Sequence, residues 1–188
     1  ANCTTPAQYF HLLRLQAKLG DVRPLVIFTP KSFLRNPLAM SALDDLTAGG
    51  FHAVLDDAAT AERRDQVTRV VVCSGKVYYD LVASEARKTA PHVAVVRMER
   101  LYPLPESELA EVLARYPNAR DLVWVQEEPR NKSAWRFIAT HASDVLPGIL
   151  YIGRPERASS AEGYHNAHLA EQARIVAEVF SKVREVRG

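Results

Sequence analysis

Apolar positions in this chain follow two patterns that take turns along the second two-thirds of its length. Continuous runs of four or five apolar residues at Arg69–Cys73, Val93–Arg97, Leu122–Val125 and Ile149–Ile152 have the signature of strands buried on both faces. Between and after them, Val77–Lys88, Glu106–Arg115, Ala134–Val145 and His168–Val186 carry helical spacing. In the last of these, Leu169, Ala173, Val176, Phe180 and Val183 share one face, as expected for a helix docked on a sheet. Apolar strands alternating with helices predict an α/β fold: a mainly parallel sheet with helices on both faces.

The first third reads differently. Thr5 as N-cap, Pro6 at the first helical position and Gln8 three residues after the cap predict a capping box. Tyr9, Leu12, Leu13 and Gln16 carry that helix to Gly20. Leu25–Phe28 is a short apolar run ended by Thr29–Pro30, which predicts a buried parallel strand. Residues 38–65 then turn polar and broken, with Gly49–Gly50, Asp56–Asp57 and Glu62–Asp65. The division expected is therefore a remnant of one α/β domain at 1–37, a linker at 38–65 and a complete α/β domain at 66–188.

Composition narrows the function classes. The 188 residues suffice for one good core or for a domain plus part of another. Lys and Arg number 24 against 22 Asp and Glu and are interspersed with them, so no nucleic-acid stripe is expected. Cys3 and Cys73 lie far apart and outside any CxxC or Cys/His cluster, which predicts two buried free thiols in a reducing compartment and neither a zinc site nor a disulfide. No run reaches membrane-spanning length and no signal segment opens the chain, so a soluble, intracellular protein is expected.

The candidate chemistry sits at strand ends. Ser74–Gly75–Lys76 follows one strand and opens a helix, so backbone N–H groups and an ammonium are placed to hold an anion; without GxxxxGK[ST] spacing it is not a Walker loop, and a plain tight turn is the alternative. Lys31 and Arg35, with Arg23, form a basic cluster beyond Leu25–Phe28, either a solvated loop or an anion site. Glu127 and Glu128 invite an acid/base reading, but successive residues of an extended segment face opposite ways. The structural reading has one of them paired with Arg130, Arg136 or Arg154 and the other facing a neighbouring domain. His11 is a domain-packing candidate. His165 and His168 lack third and fourth ligands, so no metal is expected. Tyr78, Tyr79, Tyr102, Trp124 and Trp135 are read as core and interface aromatics.

Four blocks also carry a resemblance. Trp124–Trp135 resembles the VWxQEEPxNxGAW signature of the thiamine-dependent, decarboxylating first component of 2-oxoglutarate dehydrogenase. Thr5–Arg14, Arg23–Arg35 and Cys73–Leu81 match the same family in the same order, and Arg97–Pro103 and Gly153–Pro155 extend the match over nearly the whole chain. The departures are Ser133 where a glycine is usual, Glu156 and Arg157 where small residues are usual, and Leu15 in place of an arginine. Ser133 is expected to cap the helix after it.

The resemblance implies a transketolase-like arrangement, with residues 1–37 ending a pyrimidine-binding-like domain. It implies a parent enzyme in which the ylid of thiamine diphosphate attacks a 2-oxo acid, carbon dioxide leaves and the acyl group passes to the lipoyl arm of a partner acyltransferase. Thiamine diphosphate and Mg2+ are held outside this segment, and the family's HSSAR-like substrate-contacting segment is absent from it. The implied roles are completion of a homodimer, packing on upstream domains of the same enzyme through His11, Glu127, Glu128 and Arg154, and effector binding at Lys31, Arg35, Ser74, Gly75 and Lys76. No catalytic residue is expected here, and no partner nucleic acid or membrane. The compartment is the cytoplasm in a bacterium or the mitochondrial matrix in a eukaryote. The competing readings are a stand-alone regulatory module for an adenine nucleotide or acyl-coenzyme A, and a pure assembly module.

Overall fold

β-Branched residues restrict the backbone to extended conformations, and the valine-rich runs become the centre of a sheet. The computed structural model describes residues 1–20 and 23–181. Val54–Leu55 (β1), Arg69–Cys73 (β2), Val93–Met98 (β3), Asp121–Pro129 (β4) and Leu150–Arg154 (β5) form a five-stranded sheet of order β1-β3-β2-β4-β5. All neighbours run parallel except the antiparallel β1 on the edge. The helices are Pro6–Lys18 (α1), Leu43–Thr47 (α2), Val77–Val82 (α3), Glu85–Lys88 (α4), Glu106–Leu113 (α5), Trp135–His141 (α6) and His165–Phe180 (α7).

The period-two alternation of strand side chains splits the core between the two sheet faces. Val70, Val72, Val96, Met98 and Trp124 pack with Leu109 and Val112 of α5 and Ile138 of α6. On the other face Val71, Cys73, Val95, Val123 and Val125 pack with Val77 and Leu81 of α3 and with Ile175 and Val179 of α7. Each such buried aliphatic side chain contributes roughly 1.5–3 kcal/mol, so these layers supply most of the fold's cohesion. The α/β architecture with helices on both faces is the one the alternation predicts. Cys3 and Cys73 are buried and free, and burial pushes both thiols up to about 12.

Several local expectations are corrected. Leu25–Phe28 is no strand of the sheet: it lies extended against the chain start, with Phe28 N–H donating to Ala1 O at 2.9 Å and Val26 and Phe28 exposed. The stretch expected as one helix at 77–88 is two, because the Ser84 side chain accepts from Ala86 N–H and starts a new one. Of the face expected on the last helix, Phe180 is buried and Val176 packs partly buried against the core, whereas Leu169 and Ala173 are exposed and Ile175 and Val179 are buried in addition; Val183 and Val186 lie outside the described residues. The capping box is half formed. Thr5 Oγ1 accepts from Gln8 N–H, but the Gln8 side chain reaches across to His52, donating to its carbonyl at 2.5 Å.

Within the expected linker, β1 joins the sheet edge, and the two aspartates directly after it fasten the chain to the helical layers. Asp57 is buried, and its carboxylate accepts from Arg87 at 2.7 Å and from Val95 N–H at 2.9 Å. Burial of Asp56 works against its charge. Hydrogen bonds from Tyr116 and Arg115, the Asp57 N–H and the Arg64 cation prevail and hold its carboxyl below the usual range. That stabilisation is present above the unfolded carboxyl value and is lost as pH falls through the folded one. Replacing Asp57 leaves a largely buried guanidinium unpaired. Asp57→Ala is therefore expected to cost about 3 kcal/mol, measured as a lower urea midpoint with an unchanged slope.

Candidate functional site at the carboxyl edge of the sheet

The strand-to-helix turn after β4 is built around one amide. Gln126 is buried at the end of the apolar part of β4, and its Oε1 accepts from Trp124 Nε1–H at 2.9 Å and from Trp135 N–H at 3.0 Å. Its Nε2 hydrogens are shared among the carbonyls of Glu128, Pro129 and Lys132 at 2.9–3.2 Å. Every polar atom of the side chain is thus spent folding residues 126–135 into a fixed turn. Ser133 at its end has φ +57°, the left-handed region that disfavours a residue with a Cβ. It does not cap the next helix, whose N-cap is Ala134 without a side-chain hydrogen bond; its hydroxyl lies instead beside the Glu128 carboxyl.

The two glutamates of that turn serve different neighbours. Glu127 faces Lys76 at 3.7 Å, and Lys76 is also held by Asp80 at 2.5 Å; its partner is none of the three arginines expected. Gln172 of α7 donates to the same Asp80 oxygen at 2.7 Å, which ties α3 to α7. For Glu128, burial first and the neighbouring Glu127 charge second raise its proton affinity, while Arg154 and Ser133 oppose the shift. Arg154 is buried, with Nη2 at 2.8 Å from His168 Nδ1 and Nε at 3.9 Å from Glu162.

The anion cradle expected at Ser74–Gly75–Lys76 is occupied by the protein itself. Ser74 Oγ donates to Met98 O at 2.9 Å, Lys76 is engaged as above, and a Cβ on Gly75, at φ +72°, would collide with the Asn2 side chain. Next to it lies a node that sequence reasoning missed. Glu99, fully buried just past β3, accepts from Thr4 N–H at 2.7 Å and from Thr4 Oγ1–H at 2.5 Å. Arg97 donates to Thr4 Oγ1 at 2.9 Å and Tyr79 donates to Thr4 O at 2.5 Å. Burial raises the Glu99 carboxyl above its ordinary value, and the Thr4 hydrogen bonds and the Arg97 charge offset only part of this. An acidic residue directly behind a strand whose six residues are apolar but for Arg97 was the signal available for it.

His11 is buried, with Nε2 at 2.8 Å from Asp45 O, so it joins α1 to α2. Lys31 and Arg35 lie on an exposed 3-10 turn at Lys31–Arg35, apart from the glutamate turn, and neither forms an ion pair among the described residues. Lys31 lines a groove of about 750 Å3 with Thr5, Tyr9, Phe33, Leu34 and Met40. Around it a largely apolar face is exposed, including Leu34 at 88%, Met40 at 73% and Val26 at 63%. Chemically, the carboxyl edge offers hydrogen-bonded carboxylates and occupied cations. Among the described residues no group of three or more His, Cys, Asp or Glu is disposed to hold a metal.

A family model described as 2-oxoglutarate dehydrogenase C-terminal matches residues 40–180. Similar proteins include the "2-oxoglutarate dehydrogenase E1 component" of an Exiguobacterium species, 42% identical over 97% of this chain and 20% of its own length. That of Cupriavidus necator is 44% identical over 96% of this chain and 19% of its own. A Mycobacterium "Multifunctional 2-oxoglutarate metabolism enzyme" is 42% identical over 95% and 15%. The chain thus spans about a fifth or less of the length of the curated relatives it matches.

Two substitutions probe the turn. Gln126→Leu strands two indole and amide donors and three carbonyls, and is expected to lower stability by about 3 kcal/mol in chemical denaturation. Ser133→Gly relieves the left-handed backbone and is expected to raise stability by about 1 kcal/mol, read as a higher thermal midpoint.

Proposed function

The chain belongs to the 2-oxoglutarate dehydrogenase C-terminal family, and from that premise we propose that it is the C-terminal region of a decarboxylating 2-oxoglutarate dehydrogenase component. Its role is assembly: it packs on the preceding region of the same polypeptide and completes a homodimer. The observation that supports this reading is the apolar face on residues 9–43, where Phe10, Leu13, Val26, Phe28, Leu34, Leu38, Met40 and Leu43 stand exposed. Exposed apolar residues concentrated in one part of a chain mark a surface that meets another one. In the domain division we propose, residues 1–37 end the pyrimidine-binding-like domain, 38–65 cross between domains and 66–188 form the C-terminal α/β domain. The family match beginning at residue 40 supports it, with β1 as the point where the crossing segment joins the sheet.

The whole enzyme would remove carbon dioxide from 2-oxoglutarate and pass the acyl group to a lipoyl-bearing acyltransferase. When bound, thiamine diphosphate supplies the electron sink for that step. The described residues do not fit its diphosphate and Mg2+: the glycine turn at Ser74–Lys76 is closed by Asn2, and its lysine is held between Asp80 and Glu127. No step of the chemistry is therefore assigned to this chain. The bacterial relatives favour the cytoplasm as its compartment, and no helix among the described residues is long and apolar enough to cross a membrane.

A second reading keeps an effector site. Lys31 on the rim of the groove and the neighbouring Arg35, neither in an ion pair among the described residues, are cations suited to the phosphates of an adenine nucleotide or acyl-coenzyme A.

The assembly reading predicts that the isolated chain, given thiamine diphosphate, Mg2+ and 2-oxoglutarate, releases no carbon dioxide, and that the longer polypeptide loses its dimer when this region is removed. Decarboxylation by the isolated chain would overturn it. The effector reading predicts that an adenine nucleotide or acyl-coenzyme A at about 100 times its Kd raises the thermal midpoint, equivalent to about 2.7 kcal/mol. Lys31→Ala with Arg35→Ala should abolish that rise; no rise with the unaltered chain leaves assembly alone.

A further inference from the structure

Two hydrogen bonds set Ala1 in parallel register with Ile27. The Ala1 nitrogen donates to Val26 O at 2.8 Å, and Phe28 N–H donates to Ala1 O at 2.9 Å. A residue bonded to the carbonyl before and the N–H after the residue opposite it is the repeat of a parallel ladder; an antiparallel pair exchanges both bonds with a single residue. Leu25–Phe28 has the side-chain alternation of a strand covered on one face, with Leu25 and Ile27 half-buried and Val26 and Phe28 exposed. Beyond Ala1 the ladder ends. Its next bond would need an N–H at Pro30, which proline lacks, and Asn2 N–H turns away to donate to Glu99 O at 2.8 Å.

Towards the preceding region the ladder is open. Its next rung sets Leu25 opposite the residue two places before Ala1 and uses the Val26 N–H and the Pro24 carbonyl. Neither group forms a hydrogen bond among the described residues. Resting on the reading of this chain as the C-terminal region of a longer polypeptide, we propose that the residues immediately before Ala1 form a strand paired in parallel with Pro24–Phe28, with α1 as the crossover helix between the two. A parallel connection needs a dozen or more residues and usually a helix; residues 2–24 supply both, with α1 inside them.

Covalent continuity selects this occupant of the edge. A residue already seated opposite Ile27 directs those before it along the same edge at about 3.3 Å each, whereas a second copy of the chain would have to be recruited from solution. The prolines fix the extent of the pairing. Pro24 and Pro30 both stand where an N–H would face the neighbouring strand, so they close the ladder at its two ends. Leu25–Phe28, outside the five-stranded sheet, thereby becomes a strand of a second sheet that the preceding region supplies. Strands of parallel sheets are buried on both faces, so the residues before Ala1 should read as a short continuous apolar run.

The test places two cysteines in the longer polypeptide, one two places before Ala1 and the other as Leu25→Cys. Opposite residues of a ladder lie about 4.8 Å apart, within disulfide reach, so mild oxidation should link most of the protein, read as a cross-linked peptide pair by mass spectrometry. Val26→Cys with the same upstream cysteine points to the other face and should link at least about tenfold less. Without any substitution, the Val26 amide should exchange at least about tenfold more slowly in the longer polypeptide than in the isolated chain. Equal linking at the two positions, or a Val26 amide as fast in the longer polypeptide as in the isolated chain, would overturn the proposed strand. Val26 protection that depends on the concentration of the longer polypeptide would also overturn it, by assigning the edge to a second copy. Thiol labelling at Leu34 separates this strand from the assembly reading. Slow labelling beside a fast Val26 amide sinks the strand and keeps assembly, whereas fast labelling beside an efficient Leu25 link keeps the strand and sinks assembly.

Discussion

Taking a carboxylate out of water costs several kcal/mol unless donors replace its hydration, and Glu99 is fully buried. Both of its oxygens are met by one residue, Thr4, through the backbone N–H and the hydroxyl. The rest of the arrangement depends on that exchange. Thr4 cannot leave without stripping a buried carboxyl group of its hydrogen-bond partners, so residues 1–5 are held on the carboxyl ends of β2 and β3, Asn2 is pressed onto Gly75, and α1 leaves in a set direction from the Thr5 cap. Arg97 reinforces the node from one side while its guanidinium lies 4.1 Å over the Tyr78 ring. The N-terminal layer is thereby fastened to the sheet by hydrogen bonds that converge on Thr4.

The same constraint accounts for the state of the carboxyl edge. In open α/β sheets this edge is where ligands settle, yet here Asn2, Thr4, Gln126 and the Lys76–Asp80–Glu127 group fill it from within. Glu127 and Glu128, adjacent in sequence, are separated in role by the alternation of the strand: one closes a charge group with α3, the other lies half-buried near Arg154. Polar residues at the edge are committed to holding turns and layers together, whereas the surface left open is apolar and lies on residues 9–43. A body with a spent polar edge and an uncovered apolar face is built to be packed against.

Much of the sheet was legible in the sequence because β2 to β5 are apolar on both faces, and a continuous β-branched run has few alternatives to a buried strand. β1 was not, since two residues pairing on an edge leave no periodic trace. Leu25–Phe28 misled for the opposite reason: its apolar content serves an exposed, extended stretch whose hydrogen bonds go to the first residue of the chain. The break at Ser84 comes from a local side-chain cap that apolar spacing does not record, whereas the burial of Ile175 and Val179 beside the expected Phe180 on α7 was set by tertiary packing. At the edge, the turn after β4 could be recognised from Trp124–Trp135, but its physical centre, Gln126, could not be ranked above the two glutamates beside it. Thr4 and Glu99 are 95 positions apart, and no local pattern connects them.

The central claim is that the apolar face on residues 9–43 is covered by the preceding region of the same polypeptide. A cysteine placed at Leu34, the most exposed apolar residue of that face, with Cys3 and Cys73 buried and slow to react, would report this directly through its rate of thiol labelling. Fast labelling in the isolated chain and labelling slowed by orders of magnitude in the longer polypeptide are the results the account predicts. Equal rates in the two would contradict it, because the face would then be open in both.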